Sequence, residues 1–165
     1  MRLDIQTDFD WQRQFMPEIK RILGECLITE APPEEDMRRN TDFIVLKLDS
    51  VRVACRIRRN KHLARYGHQF TIRASRPSGI ETELQKVIRG WGDYLFYGFA
   101  DADDLRLAKW ILGDLAEFRL WYARRLSVLP KGQMPGQLVP NPDGSSTGRA
   151  YDVAALPSAF LLAAG

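Results

Sequence analysis

Histidine and cysteine are scarce in this sequence, two of each. Cys26 and Cys55 sit in apolar surroundings without a CxxC spacing and read as buried thiols rather than a bridge or a metal pair. A zinc site would need His62 and His68 to converge with both of them. Long apolar runs are missing as well: charge interrupts every one well short of the roughly 20 residues a membrane span needs. No basic start followed by an apolar block marks a secretory signal, so no membrane association is expected and the cytoplasm is the expected compartment. The chain has no GxxxxGK[ST], no GxGxxG after a strand, no GxSxG and no HExxH, which leaves phosphate loops, dinucleotide folds, serine hydrolases and zinc proteases without a signature. Ser145 and Ser146 lie in a loop with no histidine near in sequence to act as base. There are no internal repeats.

One further absence is local. Between residues 50 and 80 there is no Asp or Glu, while Arg52, Arg56, Arg58, Arg59, Lys61, Arg65, Arg73 and Arg76 place eight cations there. The formal charge of the whole chain is only +3, so the asymmetry lies in the distribution. Such a block fits a phosphate-binding surface; it also fits a solvated strand face whose acidic partners lie elsewhere.

At 165 residues, with 45% apolar and 27% charged side chains, the chain is long enough to bury a core and ordinary for a globular protein. The reading is a single α/β domain over residues 1–130, a surface loop at 131–149 and a segment at 150–165 that packs back. Trp11, Phe15, Ile19, Ile22 and Leu23 have helical spacing, with Asp8 or Asp10 as cap, a restart at Pro17 and an end at Gly24. Residues 42–48 and 51–58 read as a hairpin turned at Asp49 and Ser50. In the second strand Val51, Val53, Cys55 and Ile57 alternate with Arg52, Ala54, Arg56 and Arg58, giving a core face and a cationic face. A third strand follows, with Gln69, Thr71 and Arg73 opposite His68, Phe70 and Ile72.

Leu84, Val87, Ile88 and Trp91 then mark a helix whose exposed side carries Glu81, Glu83, Lys86 and Arg89. A fourth strand is rich in aromatics, Tyr94, Phe96, Tyr97 and Phe99, which read as core. Residues 105–112 read as strand and the residues through 124 as helix, and the Gly-, Pro- and Ser-rich stretch after Pro130 as loop. The fold class is α/β (α+β): a central mixed sheet with the order helix, strand, strand, strand, helix, strand and flanking helices.

That order, with an Asp heading the apolar strand "TDFIVL" and a tight hairpin after it, resembles the core of the PD-(D/E)XK nuclease superfamily. The resemblance implies that Asp42 matches the family's first acid. The following strand should carry an acid and a lysine, and "VRVACRIRR" holds Ala54 and Arg56 in those places. Alanine binds no metal, and a guanidinium stays protonated and makes a poor base. The implied site must then be rearranged: Asp42, Gln69, Glu83 and Lys86 as catalytic candidates, Asp42 and Glu83 as ligands of Mg2+ or Mn2+, with Thr71 beside Gln69 and Glu18 or Glu25 completing the metal site. Each residue also has a plain structural role open to it: Asp42 as a turn cap, Glu83 and Lys86 as an exposed helix pair.

The blocks "FDWQRQFMPEIKRIL", "FTIRASRPSGIETELQKVIRGWGDYLFYGF" and "PNPDGSSTGRAYDVAALP" resemble a group of proteins encoded in phages and prophages. That group brings no activity to carry over, but it implies an origin in mobile DNA and a bacterial host. The functional expectation is a phage- or prophage-type nucleic-acid-associated protein, DNA favoured, with Arg52, Arg56, Arg58, Arg73 and Arg76 holding phosphates and either residual metal-dependent nuclease activity or none. The alternative is a protein-interaction module that binds or inhibits a host protein. A homo-oligomer is compatible with both.

Overall fold

The structure is a computed structural model and describes residues 10–30, 43–45 and 51–165. It has an α+β fold. A helical turn at residues 10–13 leads into helix α1 (Met16–Leu27), with the break just ahead of Pro17, where the ring has no interior hydrogen bond to spoil. The end expected at Gly24 does not occur: α1 runs on to Leu27, because a glycine inside a helix costs only about 1 kcal/mol and packing outweighs it.

Strands β1 (Ile28–Glu30) and β2 (Phe43–Val45) form a separate antiparallel pair. The main sheet has the order β3 (Val53–Arg58), β5 (Tyr94–Ala100), β6 (Leu107–Asp114), β9 (Leu161–Ala164). β3 runs parallel to β5 and the other pairs are antiparallel. A second sheet orders β4 (Gln69–Ser75), β8 (Thr147–Asp152) and β7 (Gln137–Pro140), all antiparallel.

Two sequence expectations change here. The hairpin expected between residues 42–48 and 51–58 is not among the pairings of the described residues: β2 pairs with β1, and β3 takes its partner β5 from far along the chain. Its expected turn at Asp49 and Ser50 lies outside the described residues. The stretch expected as a loop at 131–149 contains β7 and the start of β8, joined by a turn at "NPDGSS". The last segment does pack back, as β9 on the edge strand side of β6.

The main sheet is buried on both faces, which is why β5 reads as a near-continuous apolar run. On one face Phe96, Ala100 and Leu112 meet Phe15, just ahead of α1, and Ile19 and Ile22 within it. On the other, Leu95, Tyr97, Phe99 and Ile111 meet Phe70 and Ile72 of β4, Leu84 and Val87 of α3 (Glu83–Ile88), and Leu115, Phe118 and Tyr122 of α4 (Leu115–Val128). A short helix α2 (Leu63–Tyr66) links β3 to β4, and Leu63 and Tyr66 pack at the margin of that second core.

Caps explain the helix ends. Thr82 and Gln85 form a reciprocal capping box at the start of α3. Its end is a Schellman motif, with the Trp91 N–H on the Lys86 carbonyl, the Gly90 N–H on that of Val87, and Gly90 at φ 100°. This stop turns Trp91 out to solvent at 62% exposure, against the core position its spacing implied. The Asp114 carboxylate caps α4 by accepting from the Ala116 and Glu117 N–H groups. No described helix is long and apolar enough to cross a membrane.

Candidate functional site

Strand alternation sets the site. Val53, Cys55 and Ile57 turn toward α1, so Ala54, Arg56 and Arg58 stand on the opposite face, the one that further into the sheet packs against β4, α3 and α4. β3 is the edge of its sheet and β4 the edge of the other. Between them runs a groove of about 810 Å3, lined by Arg56, Arg58, Arg59, Lys61, His62, Arg73 and Arg76. Among the described residues lining it, Glu83 is the one acid. A smaller cavity of about 220 Å3 adjoins it, sharing Arg56, Arg58, His62, Thr71 and Arg73.

Three of the cations, Arg56, Arg58 and Arg59, have side-chain partners that fix them. Arg58 donates to the Thr71 hydroxyl at 3.1 Å, and that hydroxyl meets the Tyr97 hydroxyl at 3.0 Å. Arg56 reaches the Glu83 carboxylate at 3.4 Å, which also accepts from the Arg73 backbone N–H at 3.4 Å. Arg59 lies over the Trp11 ring, 4.3 Å from its centre, and pairs with Asp104 at 3.1 Å; the Trp11 indole N–H donates to the same carboxylate. Burial lowers the Arg73 guanidinium from its ordinary value, Glu83 pulls the other way, and crowding by Arg76 and Arg56 lowers it further; the side chain remains a cation. Burial, then Arg58 and Lys61, lower His62 from its ordinary 6.5. Burial is the main cause of both shifts, and the neighbouring cations add to it.

The open edge of β3 has a specific cover. The Gln12 side chain donates to the Cys55 carbonyl at 3.4 Å and accepts from the Ile57 N–H at 3.2 Å, acting as one residue of an added strand. Nothing in the sequence singles out a lone glutamine for this.

Of the residues expected to act together, Arg56, Arg58, Arg73, Arg76 and Glu83 line the larger groove, and Gln69 lines the smaller cavity. Arg52 is exposed at the approach to β3, where its N–H donates to the Asp93 carboxylate, and lines neither. Lys86 is exposed on α3 and also lines neither. Glu18 and Glu25 belong to α1, on the other face of the sheet; Glu18 accepts from the Leu107 N–H and Glu25 pairs with Arg21. Asp42 lies outside the described residues. Among the described residues no group of three or more His, Cys, Asp or Glu gathers as a metal site. Cys26 and Cys55 are free thiols, half-buried rather than buried.

The arrangement suits anion binding. Planar guanidinium groups from two strands converge on a recess, and one carboxylate already occupies part of it. Comparison of the chain with family models, curated proteins and solved structures finds no match.

Proposed function

We propose that the protein is a nucleic-acid-associated factor of phage or prophage type, which grips the phosphates of a strand, DNA favoured, in the groove between β3 and β4, in the cytoplasm of a bacterial host. The observation that carries this reading is the convergence of Arg56, Arg58, Arg73 and Arg76 on one recess whose described lining has a single acid. Ala54 and Arg56, in the places where the nuclease-like resemblance would need an acid and a lysine, favour a grip over cleavage. Glu83 stands as a lone acid among arginines, and no second carboxylate joins it in the described lining to share Mg2+ or Mn2+.

The test is binding of labelled DNA and RNA across a salt series, for the wild type and for Arg56→Gln, Arg58→Gln and Arg73→Gln. The logarithm of affinity should fall linearly with that of salt, and each substitution should lower the slope by about 0.7 to 0.9. No affinity at low salt, or unchanged slopes in all three variants, would refute the reading. In that event polyglutamate is the probe for an acidic protein partner. Cleavage in Mg2+ that a chelator abolishes would restore the nuclease branch.

A further inference from the structure

We infer that the two adjoining cavities form a site for one unpaired nucleotide unit, its phosphate on the arginines of β3 and β4 and its base in the smaller cavity. This rests on the nucleic-acid reading and narrows it to a substrate class.

The two compartments differ in chemistry. Arg56, Arg58 and Arg73 border both, while Arg59, Lys61 and Arg76 line the larger alone. The smaller, about 220 Å3, has flat or apolar walls from Tyr66, His62, Pro140 and Pro142, with Gln69 and Asn141 as hydrogen-bonding groups. A base is a flat ring with a polar edge, and that pairing of walls and donors matches it. At about 810 Å3 the larger recess is within the size range of pockets that enclose small organic ligands, and its guanidinium groups lie recessed between two sheets rather than on a ridge.

Arg58 stands where the compartments meet and is anchored there through Thr71 to Tyr97. A phosphate on Arg58 would leave its own base within reach of the smaller cavity. A duplex keeps its bases paired and stacked inward, so it would offer the recess phosphates alone and leave the second compartment unfilled. The unit shared by a single strand and a free nucleotide, a nucleoside monophosphate, fills both.

The experiment titrates the full chain, at one salt concentration, with a labelled adenylate homopolymer, the same strand annealed into a duplex, a nucleoside 5′-monophosphate and inorganic phosphate. Tyr66→Ala removes a wall of the base compartment; since Tyr66 also packs on the core, Gln69→Ala is made beside it. The single strand should bind about tenfold tighter than the duplex. Either variant should weaken the strand about fivefold with its salt slope unchanged, the loss expected for one base contact. The monophosphate should compete at concentrations where inorganic phosphate does not; if it binds as tightly as the strand, the inference stands with the free nucleotide as ligand. Equal binding of duplex and single strand, or affinity unmoved in both variants, overturns the inference and leaves the phosphate grip intact. No binding of any nucleic acid at low salt removes the grip as well.

Discussion

Glu83→Gln separates a catalytic acid from an internal competitor. The Glu83 carboxylate sits 3.4 Å from the Arg56 guanidinium and 3.4 Å from the Arg73 N–H, where a phosphate oxygen would otherwise find both donors. The pair is half open to solvent, with side-chain exposures of 32% and 51%. Its loss should therefore cost at most about 1 kcal/mol of stability, read from urea unfolding. For binding the sign reverses. A phosphate on the order of 6 Å from the carboxylate is repelled by roughly 0.7 kcal/mol at the dielectric of water and about 3 kcal/mol at an effective value of 20. The exposure of the pair argues for the lower end, so Glu83→Gln should bind nucleic acid about three- to tenfold tighter at low salt. The gain should vanish toward 1 M salt, where the screening length is about 3 Å. Fluorescence anisotropy at two salt concentrations measures it. Unchanged or weaker binding, or loss of a metal-dependent cleavage, would refute the competitor role and make Glu83 a reacting or ligating group.

Three further outcomes test the fold and the site. Gln12→Ala should destabilise by about 1–2 kcal/mol in urea unfolding, because the Cys55 carbonyl and Ile57 N–H each lose their cover at the sheet edge. Gly113→Ala should lower the melting temperature, with a cost of about 1–3 kcal/mol, since a Cβ there would sit 2.3 Å from the fully buried Phe160 ring; Gly24→Ala, with nothing within 4 Å and a place inside α1, should stabilise by about 0.5–1 kcal/mol. His62 should titrate below 6.5 in NMR of the free protein and move upward when an anion fills the groove. As its folded pKa is the lowered one, the unfolded chain binds more protons near that range, so the His62 contribution to stability falls as pH drops through about 6.5 and levels off below the folded value.

The local elements were legible because their signals are local. Alternation placed Phe70 and Ile72 inward on β4 and split β3 into an apolar and a cationic face; Leu84 and Val87 marked the buried side of α3. The strand-to-helix change after Leu112 also appears, with β6 ending at Asp114, whose cap signal was there to be read. What failed depended on distance or on a stop. The parallel pairing of β3 with β5 joins residues about 40 positions apart, and no pattern in either strand names the partner. Trp91 continued a helical period that Gly90 had already ended. The β7–β8 hairpin could have been found: "NPDG" between "LVP" and "TGRAYD" is turn chemistry between two short strands, masked by the Gly and Pro content around it. For the site, the cationic block held Arg56, Arg58, Arg73 and Arg76, which line the groove, and Arg52, which does not; Lys86 was joined to Glu83 by helix spacing, and it lies outside the lining.

The placement of those arginines has an energetic consequence. Arg56 and Arg58 stand on the face of the sheet that further in is apolar core, and Arg73 of β4 and Arg76 just past its end meet them, with Glu83 as the nearby acid. Like charges gathered in a partly buried recess oppose folding: burial is the main cause of the lowered values at Arg73 and His62, and the neighbouring cations lower them further. A sequence selected for stability alone would have put apolar or acidic residues at some of these positions, as it did on the α1 side of the same strand with Val53, Cys55 and Ile57. On the proposed reading that repulsion would be relieved when an anion enters, and a phosphate-bearing ligand would then stabilise the folded chain in proportion to the logarithm of its concentration over its dissociation constant. The same repulsion makes the Arg56–Glu83 contact useful in the empty state, since it offsets part of the repulsion while remaining weak enough for a doubly charged phosphate to displace.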